Sequence, residues 1–235
     1  MVLHVKNLSV QYLKTADRLI LQDISFSLEP GERVALIGAN GAGKSTLLLT
    51  LMGIIPLQGG DITLGGMNPT DKEQLRRLRQ AAGMVFQNPE DQLFMPTLLE
   101  DVSFGLRNYG FDEKTMEGRI TDILARLGIS RLTNRLSHTL SGGEKRLAAL
   151  AGVLVMEPSL LLLDEPSSFL DPRSRRTLIR ILDSLPQTML VATHDLELAQ
   201  ELCARILLLK EGRLFADGPA QALLQDHALL EQAGL

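Results

Sequence analysis

Apolar and polar residues follow two different patterns along this chain. The segments 2–12 and 19–28 alternate with a period of two, which is typical of half-buried strands, and we interpret both as edge strands. Continuous apolar runs, which are typical of strands buried in a parallel sheet, follow at 32–38, 160–164, 188–193 and 204–210. Helical patterns lie between these runs, at 44–53, 172–183 and 195–202. Buried strands that alternate with helices indicate an α/β fold.

Residues 88–157 show a different, helical pattern, and no strand pattern is evident from 98 to 157. Asp112 is placed to cap a helix, and Gly128 is placed to end it. Gly118 lowers the stability of this helix by about 1 kcal/mol relative to alanine, which weakens the prediction. We therefore predict a single α/β domain over 1–235 with an α-helical subdomain inserted at about 88–157. The helix places its apolar residues on one face: Met116, Ile120, Ile123, Leu124 and Leu127.

Composition narrows the function classes. The 235 residues are 45% hydrophobic, carry a net charge of −4, and include no Trp and only 4% aromatic residues. This balance argues against a nucleic-acid surface, which needs basic stripes and stacking faces. The single Cys203 allows no intrachain disulfide, which fits a reducing cytoplasm.

The sequence also predicts no direct membrane insertion. The longest apolar stretch, 147–156, stops at Glu157 and Pro158 and is shorter than the roughly 18 residues that a spanning helix needs. The N-terminal residues alternate like a strand and lack the shape of a signal peptide. We expect an intracellular protein that reaches a membrane only through a partner.

A glycine-rich segment at 38–45 follows one predicted strand and opens a predicted helix. Its sequence, GANGAGKS, fits the phosphate-binding pattern G-x-x-x-x-G-K-[ST]. Glycines let backbone N–H groups surround a phosphate, and the helix N-terminus adds a favourable dipole. Lys44 is expected to reach the β- and γ-phosphates, and Ser45 to ligate Mg²⁺. The alternative is a glycine-rich turn without a ligand, against which the flanking strand and helix argue.

Two acids follow the apolar run at 160–163. A buried strand brings Asp164 to the carboxyl edge of the sheet, where ligands bind in open α/β folds. We expect Asp164 to hold the Mg²⁺ shell and Glu165 to orient or deprotonate the attacking water. Two acids in this position are more often a strand end and a helix cap, but the phosphate-binding segment favours the catalytic interpretation.

A third motif, Leu-Ser-Gly-Gly-Glu at 140–144, precedes a long helical stretch that Ser141 can cap. Its hydroxyl, the glycine amides and the helix dipole can form a second site for a γ-phosphate. The motif resembles the LSGGQ signature of the ABC ATPases, and the other motifs of that family are present in order over about residues 3 to 218. Glu144 stands where the family usually has Gln.

The resemblance implies a fold and a set of site residues. The fold is a P-loop NTPase core, with a mostly parallel sheet flanked by helices and an N-terminal antiparallel β subdomain, plus an inserted α-helical subdomain. Catalytic roles fall on Glu165, His194 and Gln87, and Mg²⁺ is held through Ser45, Gln87 and Asp164. Tyr12 stacks on adenine, and the ATP-binding set continues with Gly38, Asn40, Gly41, Gly43, Lys44, Ser45 and Thr46. The signature residues that contact the ATP of another subunit are Ser141, Gly142, Gly143 and Glu144, and Ser168 and Asp171 belong to the D-loop at 168–171.

In this family two ATP molecules are bound between two subunits in a head-to-tail dimer, and this chain carries one copy of each half-site. The resemblance therefore implies a homodimer, or a heterodimer with a paralogue. Phe169 occupies a D-loop position where small residues are usual, which affects the packing expected there. Many relatives carry further C-terminal helices that help to hold the dimer, whereas this sequence ends near residue 235. We therefore expect dimerisation of this chain to depend more on ATP or on the membrane partner.

Residues 80–106 contain four acids and no Lys or Arg, just around the position where the family docks the coupling helices of its membrane subunits. A solvated acidic face is the ordinary interpretation of such a charge pattern. Glu90 and Asp91, beside the apolar Leu93 and Phe94, would also suit an arginine-bearing helix. We therefore predict a partner-docking surface at these four residues.

The tracts 83–106 and 140–172 resemble the ATPases of energy-coupling factor importers, especially the cobalt/nickel type. This implies an Mg-ATP hydrolase at the cytoplasmic face of the membrane that powers import of cobalt, nickel or a related micronutrient. Its partners are a small transmembrane coupling subunit and a substrate-binding membrane subunit. The alternatives are an exporter or a binding-protein-dependent importer, or a soluble ABC ATPase of translation or DNA repair. A P-loop kinase is disfavoured, because the LSGGE motif and His194 would have no function in that class of enzyme.

Overall fold

The computed structural model describes residues 3–11 and 19–235. The strands are β1 (Leu3–Val10), β2 (Leu21–Leu28), β3 (Arg33–Ile37), β4 (Gly59–Leu64), β5 (Ala82–Val85), β6 (Leu160–Asp164), β7 (Thr188–Thr193), β8 (Arg205–Lys210) and β9 (Arg213–Pro219). The helices are α1 (Lys44–Leu51), α2 (Lys72–Ala81), α3 (Leu98–Asn108), α4 (Glu113–Arg126), α5 (Gly142–Leu154), α6 (Pro172–Asp183), α7 (Leu196–Leu202), α8 (Ala220–Gln225) and α9 (His227–Gln232).

The strands form two sheets. A three-stranded antiparallel sheet has the order β2-β1-β4, and a six-stranded sheet has the order β5-β6-β7-β3-β8-β9. Strands β6, β7, β3 and β8 pair in parallel, whereas β9 is antiparallel to β8. This confirms the predicted α/β class with an antiparallel N-terminal sheet. The expectation that both N-terminal segments are edge strands is wrong for β1, because β4, which the sequence pattern did not predict, pairs on its other side.

The chain divides into two compact units. The first comprises the described residues of Met1–Met84 together with Ser159–Glu165 and Pro186–Leu235, and the second comprises Val85–Pro158 and Pro166–Leu185. The four buried apolar runs of the sequence form β3, β6, β7 and β8 of the first unit, and every residue of β6 and β7 is buried. Burial of each large aliphatic side chain contributes about 1.5–3 kcal/mol, which is why these strands form the core.

The second unit is helical, and each of its four long helices begins at a side-chain cap. Thr97, Asp112, Ser141 and Asp171 each accept a hydrogen bond from a backbone N–H of the first turn of α3, α4, α5 and α6. Residues 98–157 contain no strand, as predicted. In α4 the cap at Asp112 is confirmed, and Gly128 follows the helix with φ +69°. The apolar face is also confirmed, because Ile120, Ile123, Leu124 and Leu127 are buried and Met116 is half-buried.

Within the described ranges, no helix is long and apolar enough to cross a membrane. Cys203 is buried just after α7, at the position of the C-cap. A buried free cysteine behaves as a small hydrophobic residue, so Cys203 contributes to the core.

Candidate functional site

The phosphate-binding segment of the first unit runs from the end of β3 into α1. Gly41 and Gly43 adopt φ values of +82° and +108°, which side chains with a Cβ rarely adopt. A Cβ at Gly38 would lie 2.3 Å from the carbonyl oxygen of Leu209, so the backbone at this position requires glycine. These conformations explain why the spacing of glycines found in the sequence is needed for the turn.

Lys44, the first residue of α1, is buried and bends back over the segment that precedes it. Its Nζ donates to the carbonyl oxygens of Gly38 at 2.6 Å and Ala39 at 3.3 Å, and lies 3.8 Å from Glu165 Oε1. Burial lowers the pKa of Lys44 from its ordinary value, and the charges of Glu165 and Asp164 oppose that lowering. A cation is thus fixed by short contacts beside the glycine-rich turn.

Three neighbouring parallel strands deliver the other predicted residues of this unit to one edge. Strand β7 lies between β6 and β3, with Ile37 opposite Thr193 and Ala192 opposite Asp164. The segment after β3 carries the phosphate-binding turn, Glu165 follows β6, and His194 follows β7. The register of the sheet therefore brings residues that are more than 100 positions apart in sequence to one carboxyl edge.

Glu165 is buried and held from several sides. His194 Nδ1 lies 2.8 Å from Oε1 of Glu165, and the hydroxyl of Thr193 donates to its Oε2 at 3.2 Å. The backbone of Glu165 has φ +45°, and its N–H donates to the carbonyl of Ala192 at 2.8 Å. A left-handed backbone at a residue other than glycine is a strained conformation that concentrates at functional sites. His194 is more accessible, with 56% of its side chain exposed.

The residues at this edge fit a nucleotide phosphate and Mg²⁺. The turn brings backbone N–H groups and a lysine together, and Ser45 and Asp164 supply the oxygen ligands that Mg²⁺ prefers. Ser45 is exposed, whereas Asp164 is buried at the end of β6. No group of three or more His, Cys, Asp or Glu residues that could hold a metal ion occurs in the described part of the chain. Tyr12, the predicted adenine-stacking residue, lies outside the described residues.

In the second unit, the LSGGE motif forms the capped start of α5. Ser141 Oγ accepts from the N–H of Glu144 at 3.4 Å, and Glu144 Oε2 accepts from the N–H and the hydroxyl of Ser141, both at 3.0 Å. Arg131 donates to the other oxygen of Glu144 at 2.8 Å. The backbone hydrogen bond from Ser141 is the main cause of a lowered pKa at Glu144. The predicted cap is confirmed, and Glu144 fixes the orientation of the serine.

The D-loop residues lie in the same unit, at the start of α6. Asp171 caps α6 through the N–H groups of Arg173 and Ser174, and the hydroxyl of Ser174 lowers its pKa. Ser168 is half-buried, whereas Phe169 is 92% exposed and has φ +64°. A bulky apolar residue in a left-handed conformation with its ring in solvent is unusual on a protein surface.

Three of the four predicted docking residues of the second unit line a groove of about 440 Å³. Glu90, Leu93 and Phe94 contribute to its lining, and Phe94 is 62% exposed and packs edge-on against Phe104 with ring centroids 4.8 Å apart. Asp91, which is exposed, accepts from the side-chain amide of Asn88. The remaining lining residues are Met95, Pro96, Ser137, His138 and Lys145.

The structure corrects the expected charge of this groove. No Lys or Arg occurs at 80–106, but α5 brings Lys145 into contact with Glu90, and this hydrogen bond lowers the pKa of Glu90. The other two acids of the segment have internal tasks. Glu100 completes the cap of α3 at Thr97, and Asp101 accepts from the N–H groups of 94 and 95. Only Glu90 and Asp91 therefore remain as exposed acids of this segment.

Comparisons with known proteins agree with this geometry. The model of the ABC transporter family matches residues 21–168, which is more than half of the chain. A putative ABC transporter ATP-binding protein of Gloeobacter violaceus is 51% identical over 92% of this chain and 88% of its own. The energy-coupling factor transporter ATP-binding protein EcfA of Methanothermobacter thermautotrophicus is 43% identical over 92% of this chain and 70% of its own. The cobalt import ATP-binding protein CbiO of Rhodobacter capsulatus is 44% identical over 92% and 78%.

A solved structure is similar as well. CbiO1 from Clostridium perfringens, described as part of the ABC transporter complex CbiONQ, superposes with a TM-score of 0.85 and 34% identity over 98% of this chain and 93% of its own. The fold is therefore that of a P-loop NTPase. The chain belongs to the ABC transporter family and is the ATP-binding subunit of such a transporter. The resemblance to the energy-coupling factor and cobalt-type ATPases found in the sequence is confirmed.

Four residues that form hydrogen bonds or ion pairs with the predicted site residues were not predicted from the sequence. Thr193 binds Glu165, Arg131 binds Glu144, Lys145 binds Glu90, and Arg146 donates to the backbone at residue 87. Thr193 could have been found from the sequence, because it is a polar residue at the end of an otherwise apolar run. Two consecutive basic residues directly after the LSGGE motif are a signal for the pair at 145 and 146.

Proposed function

We propose that this chain is the ATP-hydrolysing subunit of an energy-coupling factor type importer for cobalt, nickel or a related micronutrient. The observation that carries the catalytic part is the convergence of Lys44, Glu165 and His194 at one sheet edge. Support for the importer type comes from the relatives, one named as a cobalt import protein and another as an energy-coupling factor protein.

The first unit binds and activates the nucleotide. Backbone N–H groups of the glycine-rich turn and Nζ of Lys44 bind the phosphates, since the lysine already lies among the carbonyls of this turn. Gly38, Asn40, Gly41, Gly43 and Thr46 complete the set that follows from the motif, and Tyr12 is assigned to adenine by resemblance.

Glu165 orients the attacking water and accepts its proton. Thr193 and His194 each contact one oxygen of this carboxylate. These contacts fix the carboxylate against rotation, and the family resemblance assigns the partly exposed His194 to the γ-phosphate.

Mg²⁺ is the cofactor that we assign to this chemistry. Ser45 and Asp164 would hold it, and Gln87 is assigned to it by the family resemblance. When bound, Mg²⁺ neutralises the charge that develops on the phosphate oxygens.

The second unit supplies the complementary half-site to another subunit. Ser141, Gly142 and Gly143 bind the γ-phosphate of ATP held by the other copy, Glu144 fixes Ser141, and the D-loop at 168–171 lies in the dimer contact. Because one chain carries both half-sites, a symmetric homodimer is sufficient, and a heterodimer with a paralogue is the alternative.

The groove lined by Glu90, Leu93 and Phe94 is the proposed docking surface for a transmembrane coupling subunit, with Asp91 beside it. Glu90 is paired with Lys145 but remains exposed, as does Asp91, and carboxylates next to an apolar lining suit a helix that carries arginine. Docking there would hold the chain peripherally at the cytoplasmic face of the membrane, next to a separate subunit that binds the substrate.

The metal content of cells tests this proposal. When Lys44→Ala replaces the native chain, we expect cobalt or nickel accumulation to fall to the level of a strain without the chain. Lys6→Ala is the matched control, since Lys6 is an exposed lysine of the same unit. Unchanged uptake of both metals, together with loss of uptake of an organic micronutrient, would contradict the metal assignment and keep the importer.

A further inference from the structure

A short segment of the second unit, residues 86–92, is fastened to α5 by side chains. We call it the Gln87 loop. Arg146 is only 2% exposed, and its two terminal nitrogens donate to the carbonyl oxygens of Phe86 at 2.7 Å and Gln87 at 2.6 Å. The side chain of Gln87 itself is exposed. The contact therefore fixes the backbone of Gln87 and leaves its functional group accessible.

The chemistry of arginine makes this contact specific. A buried guanidinium is costly unless charge-assisted hydrogen bonds compensate its desolvation. Its planar fork donates in two fixed directions, so two successive carbonyls are held in both position and orientation. Lysine keeps the charge but offers a single flexible donor group, and it can replace only part of this arrangement.

Two further contacts join the same loop and helix. The side-chain amide of Gln92 donates to the carbonyl of Ala149 at 3.0 Å, and its oxygen accepts from the N–H of Phe86 at 3.3 Å. Lys145 of α5 contacts Glu90 near the other end of the loop. The loop thus meets α5 at three positions within its first two turns.

We propose that Arg146 is a positioning residue that sets the place of Gln87 relative to the capped start of α5 at Ser141. Arg146 lies five positions after Ser141, which corresponds to about 7–8 Å along a helix. The Gln87 loop, the acid Glu90 of the docking groove and the LSGGE motif therefore move as one body. The consequence for Mg-ATP rests on the proposed function, in which Gln87 contacts Mg²⁺.

Hydrogen exchange of the full chain tests the structural part without any activity. In Arg146→Lys and Arg146→Met, we expect amides of residues 86–92 to exchange about tenfold faster or more, which corresponds to loss of a hydrogen bond to a charged group. Amides of β3, β6 and β7 keep their rates. Arg119→Met is the matched control, since Arg119 lies in the same unit and binds Glu157 and Val155 instead. Unchanged exchange at 86–92 in both Arg146 variants would overturn the proposal.

A double-mutant cycle tests the functional part. We expect Arg146→Lys and Gln87→Ala each to raise the Mg²⁺ concentration for half-maximal ATP hydrolysis by about 10- to 100-fold, and the double variant to be no worse than Gln87→Ala. Additive effects, or no effect of Gln87→Ala, would overturn the positioning role. Absence of ATP hydrolysis in the unmodified chain would instead overturn the proposed function, while the exchange experiment still decides whether Arg146 holds the loop.

Discussion

Nδ1 of His194 lies 2.8 Å from Oε1 of Glu165, although the two residues follow different strands and are 29 positions apart. The same oxygen lies 3.8 Å from Nζ of Lys44. One carboxylate is thus contacted by the residues that follow two neighbouring strands of the parallel sheet. A buried carboxylate beside a buried ammonium has a fixed direction, which is what a group that orients a water needs.

Glu165→Gln separates binding from hydrolysis. We expect this variant to bind ATP, to form the closed dimer and to hydrolyse about 10²- to 10⁴-fold more slowly, because a neutral amide cannot accept the proton of the water. Hydrolysis is measured by phosphate release and the dimer by sedimentation with ATP.

Glu211→Gln is the matched control for this variant. Glu211 is an exposed acid of the same unit and also has a positive φ, +47°. We expect it to hydrolyse ATP at the unmodified rate. Undiminished hydrolysis in Glu165→Gln would show that Glu165 is not the catalytic base.

The sequence patterns were most informative where one physical requirement dominates. Strands β6 and β7 match the predicted runs because a strand buried on both faces must be apolar throughout. Strand β4 was missed because its Gly-Gly-Asp start breaks the alternation, and its pairing with β1 is decided by tertiary contact. Strand β9 is exposed at alternate positions and gives an equally weak pattern.

The candidate site also contains residues that a local pattern predicts and residues that it does not. The motif spacing predicted Lys44, Asp164 and Glu165 as site residues, since a phosphate-binding turn and a strand-end acid have strict local requirements. The contacts of Arg146 and Lys145 with the segment after β5 join residues more than 50 positions apart. No local pattern encodes such pairs, because they depend on how α5 packs.

Ser141→Ala tests the signature residue. We expect ATP hydrolysis by the dimer to slow by about 10- to 100-fold, taking one hydrogen bond to a charged phosphate as the loss. ATP binding to the monomer stays unchanged, because the serine serves the nucleotide of the other copy. The free energy of unfolding falls by about 0.5–2 kcal/mol, since the cap of α5 is removed.

Asp112→Ala isolates the effect of stability in that experiment. Asp112 caps α4 in the same unit, so its removal costs a similar free energy of unfolding. We expect this variant to keep its hydrolysis rate. Equal slowing in both cap variants would show that Ser141 acts through folding alone.

Charge reversal in the groove tests partner docking. Asp91→Lys and Glu90→Lys place cations where an arginine-bearing helix is proposed to bind, and Glu90→Lys also opposes Lys145. We expect both variants to lose co-purification with membrane subunits while the isolated chain keeps its ATP binding. Glu113→Lys, which changes an exposed acid on α4, is the control. Intact membrane assembly and transport in both variants would show that Glu90 and Asp91 take no part in docking.

Cys203 makes stability depend on pH in the alkaline range. Burial raises the pKa of its thiol from 9.0 to about 12. Above pH 9 the unfolded chain releases this proton and the folded chain retains it, so the free energy of unfolding falls as pH rises toward 12, by about 1.4 kcal/mol per unit at most. Denaturant unfolding between pH 8 and 10.5 measures the slope, and Cys203→Ala should show a shallower one. Identical slopes would contradict burial of the thiol.

We propose that this ATP-binding subunit serves a small coupling subunit in the membrane. Affinity purification of the tagged chain from native membranes, followed by mass spectrometry, identifies its membrane partners. We predict one small polytopic coupling subunit together with a metal- or vitamin-binding membrane protein. Recovery of a large paired permease, or of ribosomal or DNA-repair proteins, would contradict the claim and leave the ATPase chemistry in place.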